Sequence, residues 1–473
     1  MTKKFDLVVI GGGSGGYAAA RTAASLGLRV AVIDGARELG GLCILRGCMP
    51  TKALLESAHR WRAAGEAAEF GLRLRRVKAD LPAILRRKDR LIEDFASYRR
   101  RQLEHGPFTL LRGWARFTGP NAVEVEVPGA KPLAVEGKAF LIATGSEIGA
   151  PPVPGLAEAG YLTSDTALTR KKLPKSLVVL GGGAVAVEFA DFYASLGTKV
   201  TIVQRSGRLA KEFDPDVSAV LEKAFRRHGL DVHTGTQLVR VEKRGKLKEV
   251  HFREGPRQRL VRVAAEEVLH ALGRKPSLSR LNLEAAGLRL REGKLRVRPT
   301  QQTDLPHIYA VGDAAGPYEI VHLAILQGEA AARNIAAGLK GGRAKLEKMD
   351  YRLKAMVLFT DPEVASVGLT ETEAREKGLD VIAAKYPFDD HGKSMIMGAL
   401  DGFVKLVADR RRGTILGGQI AGPHASDLIH EILAVMRYGG TAQELAAMPH
   451  YHPTLAEIVT YPAEELAARV GKR

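Results

Sequence analysis

Phe5-Asp6-Leu7-Val8-Val9-Ile10-Gly11-Gly12-Gly13-Ser14-Gly15-Gly16 is a short apolar, β-branched run that breaks directly into glycines. Residues Phe5 to Ile10 predict a buried strand, the Ala-rich segment to about Leu26 a helix, and Arg29 to Ile33 a second strand ending at Asp34. Strand, glycine turn, helix, strand and acid is the order of a dinucleotide-binding unit, and each part has a physical task. Gly11 makes the turn, Gly13 lets the backbone approach a pyrophosphate, and Gly16 packs the helix on the sheet. Ser14 opens the helix, whose N-terminus offers unpaired N–H groups to the anion. Asp34 follows Gly11 by 23 residues, where a carboxylate accepts hydrogen bonds from a ribose.

The unit recurs. Residues 177–204 align without gaps on residues 7–34, with 12 identities in 28 positions. Gly181, Gly183 and Ala186 take the glycine positions, and Ala194 to Gly197 repeats Ala24 to Gly27. Two dinucleotide sites in one polypeptide follow. The acid is missing from the second copy: Gln204 stands at its position, followed by Arg205, with Arg208 and Lys211 close behind. Loss of a carboxylate and gain of guanidinium suit a 2′-phosphate, so NADPH is favoured over NADH here. The competing reading leaves Arg205 merely solvated.

Both cysteines of the 473-residue chain, Cys43 and Cys48, sit just after the first unit, four residues apart, in Gly40-Gly41-Leu42-Cys43-Ile44-Leu45-Arg46-Gly47-Cys48-Met49-Pro50-Thr51-Lys52. A cycling dithiol/disulfide pair is one reading, and two buried structural cysteines are another. Two thiols supply only half a zinc site, and no His pair stands at finger spacing, so no metal is expected. A nicotinamide comes and goes, whereas a flavin stays and passes electrons to a neighbouring disulfide. The first site is therefore expected to hold FAD and the second the nicotinamide.

Boundaries fall at Pro151-Pro152-Val153-Pro154-Gly155 and near Gly273-Arg274-Lys275-Pro276. The expected division is 1–150 for the first part of an FAD-binding domain, 151–272 for an NAD(P)-binding domain, 273–345 for the second part of the FAD-binding domain, and 346–473 for an interface domain. A strand over Asp304 to Asp313 and a helix from about Ile320 to Ala336 are predicted, then a linker at Gly338, Lys340, Gly341 and Gly342. Strand-like runs at Gly402–Val407 and Thr414–Ile420, with two helical runs, make the last segment an α+β unit. The fold class is α/β: two Rossmann-like domains plus a C-terminal α+β dimerisation domain.

Composition sets limits on function. The opening apolar run is too short for a signal peptide, no run of eighteen apolar residues spans a membrane, and two cysteines build no secreted disulfide framework. A cytoplasmic protein is expected. The formal charge of +18 is uneven: Arg73 to Arg101 holds eleven Lys/Arg against four acids. That stretch either steers an acidic partner or substrate or forms a solvated helix face. Nucleic acid is disfavoured, because no interleaved aromatics or reader motif accompany the charge.

Together these residues resemble the flavin-dependent pyridine nucleotide–disulfide oxidoreductases, whose members include dihydrolipoamide dehydrogenase, glutathione reductase and mercuric reductase. The resemblance spans Gly11–Gly16, Cys43–Lys52, Ala143-Thr144-Gly145, Gly181–Glu188, Gly273-Arg274, Tyr309–Asp313, Phe359–Glu363 with Val367–Thr370, and His452-Pro453-Thr454 with Glu457. It implies that Cys43 is the interchange thiol and Cys48 the thiol beside the flavin. Lys52 and Glu188 match a pair near the reactive flavin nitrogen, and Asp313 matches the acid on the ribityl chain. The helix near His322 is expected to point at the flavin. Gly41, Thr144 and Gly145 are further expected FAD contacts, and Gly273 an expected nucleotide contact. His452 and Glu457 match the acid/base dyad, in which a carboxylate orients an imidazole of suitable pKa. His450 competes for that role, although the His-Pro-Thr context favours His452. In relatives the dyad completes the active site of the other subunit, which implies a homodimer. His391 and His430 match no role and are read as structural or surface histidines.

Several positions depart from the family pattern. Leu42 replaces Thr, Leu45-Arg46 replaces Asn-Val, and Ala184 removes the aromatic gate of glutathione reductases. Arg46 near Cys48 either favours thiolate or contacts an anionic substrate. The C-terminus lacks the second cysteine pair of mercuric reductases and large thioredoxin reductases. Ser14 and Arg21 occupy tripeptide-binding positions of glutathione reductases, but Glu329 replaces an expected Arg. A lipoyl group is the first expected substrate, with the basic stretch drawing an acidic carrier domain, and an anionic low-molecular-weight disulfide the second. The remaining alternatives are a flavin-only NAD(P)H:quinone reductase and a flavoprotein whose dithiol is regulatory.

Overall fold

The computed structural model describes residues 2–74, 78–127, 129–341 and 345–472. Arg75 and Arg76 of the basic stretch, and Gly342 of the expected linker, lie outside the described residues. The chain forms two compact units, one from Met1–Pro50, Arg86–Ala150 and Gly273–Asp350, the other from Thr51–Leu85, Pro151–Leu272 and Tyr351–Arg473. Residues 51–85 lie in the second of these units. That segment groups with the second unit because Leu54, Leu55 and Ala58 share an apolar core with Ala186, Phe189 and Phe192.

In the first unit, β1 (Lys3–Ile10), α1 (Ser14–Ser25) and β2 (Val30–Asp34) follow in the expected order. Next come α2 (Gly41–Arg46), α3 (Cys48–Glu66), α4 (Leu81–Glu104), β3 (Thr109–Arg112), β4 (Trp114–Gly119), β5 (Ala122–Glu126) and β6 (Leu133–Ile142). The sheet runs β3-β2-β1-β6-β5-β4, parallel as far as β6 and antiparallel beyond it; the strand Ile308–Ala310 pairs parallel with the end of β6. Leu7 and Val9 pack with Ala19, Ala20 and Ala23, while Val8 and Ile10 pack with Phe117 and Phe140. Burial on both faces explains why β1 reads as a continuous apolar run without alternation. The solvated-face reading of the basic stretch fails in part: Lys88 is buried, and the Arg99 guanidinium lies 4.1 Å from the Tyr17 ring centre.

Among the described residues, the second unit holds three sheets. A parallel sheet orders Asp231–His233, Lys199–Val203, Ser176–Leu180 and Glu267–His270, with the helix Ala184–Ser195 following the glycine turn. Gln237–Arg244, Leu247–Glu254 and Arg259–Ala265 make an antiparallel meander. A five-stranded antiparallel sheet runs Ala355–Leu358, Glu363–Gly368, Ile415–Gly422, Phe403–Asp409, Val381–Pro387. The helices Ala425–Arg437 and Thr460–Arg469 bury Ile429, Ile432, Ala463 and Leu466 in the same core as its Val404, Leu406 and Ile420. The α+β expectation for this segment agrees with that architecture. No helix among the described residues is long and apolar enough to cross a membrane.

Candidate active site

The first glycine turn is closed by the carboxylate that follows it. The Gly12 N–H donates to Asp34 Oδ2 at 2.8 Å and the Ala36 N–H to Oδ1 at 2.9 Å. A carboxylate has about four acceptor sites, so two remain for a ribose. A Cβ on Gly16 would meet the Gly11 carbonyl oxygen at 1.9 Å, and one on Gly41 would lie 2.8 Å from Gly13 Cα. Backbone contact between Gly41 and Gly13 therefore seats α2, which carries Cys43, against the pyrophosphate turn. Helix α3 begins at Cys48 and carries Lys52 one turn later.

Around this turn the residues fit a bound dinucleotide. Thr144 Oγ1 is buried without a hydrogen-bond partner among the described residues, beside Gly11, and Gly145 follows with φ +68°. Ser146 Oγ donates to Asp313 Oδ2 at 2.6 Å, and Arg274 holds Ser146 through its hydroxyl and carbonyl at 2.8 and 2.9 Å. That chain of bonds fixes Asp313 at the end of the strand Ile308–Ala310. The helix Val321–Leu339 starts one residue before His322 and fixes the approach with Gln327 Oε1, which accepts the Gly312 N–H at 2.7 Å. Gly273 lies in this unit, its carbonyl accepting from Gly149. Arg21 is ion-paired with Glu329 at 3.1 Å.

The second turn is more open. A Cβ on Gly183 would meet nothing within 4 Å, whereas Ala186 is fully buried against the sheet. Gln204 packs beside Gly182 and accepts the Arg205 N–H at 3.1 Å. Arg208 is turned inward onto the Lys211 and Phe213 carbonyls. Arg205 and Lys211 are exposed and make no ion pair among the described residues. An open cavity of about 600 Å³, lined by Ser206, Arg208, Lys211 and Glu222, adjoins them. Of the three cations expected near a 2′-phosphate, two are available to it.

Lys52 and Glu188 are brought together. Lys52 Nζ donates to both Glu188 oxygens at 2.8 Å and lies 4.8 Å from the Phe359 ring centre; Glu188 is buried and also accepts the Phe359 N–H at 3.1 Å. Burial of a carboxylate is tolerated because both oxygens are satisfied. The same helix carries Asp191, fully buried between His59 and Arg62, a network the sequence reading missed. Burial alone would push the Asp191 carboxyl up, but the His59 hydrogen bond and the Arg62 guanidinium hold it below the ordinary carboxylate range.

His452 and Glu457 are also brought together, with Nδ1 at 3.0 and 3.2 Å from the two carboxylate oxygens. The His452 ring is exposed and Glu457 nearly buried. His450 is engaged elsewhere, with Glu431 at 2.7 Å and the Met448 carbonyl at 3.0 Å. His430 is exposed, as read. Of the two readings given to His391, structural or surface, the structure has the structural one: it is completely buried, with Nε2 3.2 Å from Glu457 Oε1.

Residues 5–328 match the family model described as pyridine nucleotide-disulphide oxidoreductase, and residues 355–463 match the dimerisation domain of that family. The chain belongs to the pyridine nucleotide-disulphide oxidoreductase family. It is 36% identical over 469 residues to dihydrolipoyl dehydrogenase of Thermus scotoductus, covering 98% of each chain. It is 35% identical over 461 residues to the Chlamydia muridarum dihydrolipoyl dehydrogenase, covering 97% of this chain and 96% of that one. A mercuric reductase of Bacillus cereus is 34% identical over 96% of this chain and 70% of its own length. Among solved structures, the Cu(II) complex of the HOCl-induced flavoprotein disulfide reductase RclA from Escherichia coli superposes with a TM-score of 0.85 at 26% identity, covering 98% of this chain and all of that one. The protein is thus an FAD-dependent disulfide oxidoreductase of the dihydrolipoamide dehydrogenase-like class, and it uses a pyridine nucleotide.

Proposed function

We propose that the protein is a cytoplasmic homodimer that carries electrons from NADPH to a lipoyl disulfide through Cys43 and Cys48. The observation that carries this reading is the backbone contact of Gly41 with Gly13, which seats the thiol-bearing helix on the turn of the first dinucleotide site. The residues there that would hold FAD are Gly11, Gly13, Ser14, Gly16, Asp34, Gly41, Thr144, Gly145, Asp313 and His322. Bound FAD supplies a two-electron carrier between nicotinamide and dithiol. Lys52 and Glu188 supply a charge pair of fixed geometry for its reactive edge. Gly181, Gly183, Ala186, Gln204, Gly273, Arg205 and Lys211 are assigned to the nucleotide, the last two to the 2′-phosphate.

In the reductive direction the Cys43 thiolate attacks one sulfur of the substrate, and the other sulfur leaves as a thiolate that takes a proton from His452. Cys48 then gives its proton to His452 and, as a thiolate, attacks the Cys43 sulfur, closing the enzyme disulfide and expelling the second substrate sulfur, which takes that proton from His452. Glu457 holds His452 Nδ1, leaving Nε2 for proton transfer.

A lipoyl substrate is favoured over glutathione disulfide by the Arg21–Glu329 pair. The cation at a tripeptide-binding position is already neutralised by a carboxylate of its own chain. Dihydrolipoyl dehydrogenases among the relatives, and the basic helix α4 as a surface for an acidic carrier domain, support the same choice.

The test is steady-state turnover of lipoamide and glutathione disulfide with NADPH and NADH, repeated with Cys43→Ser. Lipoamide turnover is expected to exceed that of glutathione disulfide. The variant should lose disulfide turnover by about 10³-fold or more while retaining quinone reduction. Equal disulfide turnover by the variant would return the protein to the flavin-only class.

A further inference from the structure

We propose that His391 is a positioning residue for the acid/base dyad, holding the Glu457 carboxylate from its buried side so that its other side stays aligned with His452. The inference rests on the functional reading above.

Glu457 stands between two imidazoles of opposite exposure. His452 meets it at 3.0 Å and is 77% exposed; His391 meets it at 3.2 Å and is fully buried. His391 Nδ1 lies 2.8 Å from Ser394 Oγ. With the serine hydroxyl donating to Nδ1, the ring carries its proton on Nε2, the nitrogen that faces the carboxylate. Nε2 falls short of full hydrogen-bond alignment and has no other partner among the described residues, so Glu457 Oε1 is the acceptor it is placed to serve. The ring is held in place from other elements. Tyr461 of the helix Thr460–Arg469 meets it edge-on at 6.1 Å, and Tyr386 of the strand Val381–Pro387 stacks on Tyr461 at 4.2 Å.

A carboxylate tethered only to an exposed imidazole could rotate whenever that imidazole moved. A second contact from a rigid, buried ring removes this freedom. Exchange also needs its mobile proton on the exposed ring. Burial pushes His391 towards its neutral form, and nearby His452 adds to this, although Glu457 opposes it. The charged and titratable groups facing His391 are Glu457, His452 and Tyr461, with Tyr386 and its partner Asp390 behind them. Charging His391 would place a second cation on the same carboxylate, so the buried ring serves as a neutral donor and leaves proton transfer to His452.

The test compares His391→Leu, which removes both nitrogens, with His391→Gln, which keeps an N–H donor, in the full-length FAD-loaded dimer. His391→Leu is expected to lower kcat for lipoamide turnover about tenfold, with KM changed less than about twofold, and to displace the kcat–pH profile by about half a pH unit or more. His391→Gln should recover most of that loss. Rates of flavin reduction by NADPH and melting temperatures report separately on folding. If His391→Leu does not fold, Ser394→Ala, which frees Nδ1 alone, should move the profile in the same direction with about a two- to threefold loss. An unmoved profile in the folded variant, or a Gln variant as impaired as Leu, overturns the inference while wild-type disulfide turnover stands. Absence of disulfide turnover in the wild type would overturn the functional reading, and this inference with it.

Discussion

The two glycine-rich turns follow the same 28-position pattern, yet they are covered differently. In the first, Gly15 lies under the helix Val321–Leu339: a Cβ there would sit 2.9 Å from the Ala324 carbonyl oxygen, and one on Gly328 would sit 2.2 Å from the Gly15 oxygen. The second copy has Val185 at the matching position, exposed, and Gly183 faces open space. A turn roofed by a helix and by the Cys43 segment suits a ligand that stays, and an uncovered one suits a ligand that visits. The helices diverge in the same sense. Arg21 pairs with Glu329 at the surface, whereas its counterpart Asp191 is buried against Arg62 and His59.

The contrast can be broken most severely at Asp191. Asp191→Ala leaves the Arg62 guanidinium buried without its main partner and should cost about 3–5 kcal/mol in urea unfolding. The same carboxylate gives a pH signature. Its pKa is depressed in the folded state, so its stabilisation is present above the ordinary carboxylate value near 4 and lost as pH falls through the folded value. Wild type should therefore lose more stability than Asp191→Ala on acidification below about pH 4.

Gly15→Val copies the second turn into the first. Overpacking against the Ala324 carbonyl should cost about 1–3 kcal/mol and release FAD, read as loss of the yellow absorbance on gel filtration. Retention of the flavin would show that the roof is not what holds it.

At the second turn, Arg205→Glu places an acid beside Gln204 and removes the cation proposed for a 2′-phosphate. The ratio of kcat/KM for NADPH to that for NADH should fall about tenfold or more, about 1.4 kcal/mol, in steady-state assays. An unchanged ratio would leave Arg205 a solvated side chain. The smallest effect is expected for Arg21→Ala: the exposed pair with Glu329 is worth less than about 1 kcal/mol, and thermal unfolding should barely shift.

Both turns were legible in the sequence because backbone geometry dictates their residues. Only glycine permits the close approaches at positions 16 and 41, and a buried parallel strand needs the unbroken apolar run at 7–10. The Lys52–Glu188 and His452–Glu457 pairs, 136 and five residues apart, were legible only through family resemblance, since nothing local in the sequence ties their members. The core that receives Leu54, Leu55 and Ala58 was not legible, because a helical pattern shows that they share a face but not what that face packs against. His391 stands in Asp389-Asp390-His391-Gly392-Lys393, whose polarity gives no sign of the buried position its side chain takes. Its burial arises from aromatic neighbours distant in sequence, above all Tyr461. Likewise, Asp191 looks like an ordinary solvent-facing helix residue until Arg62 is seen beside it.

The contact between Gly41 and Gly13 has a consequence for how such a site changes over time. It involves main-chain atoms alone, so the location of α2 is inherited from the turn beneath it and does not depend on which side chains the helix displays. Leu42, Leu45 and Arg46, three of the departures from the family pattern noted in the sequence, all lie on that helix. New side chains can be written there without relocating Cys43.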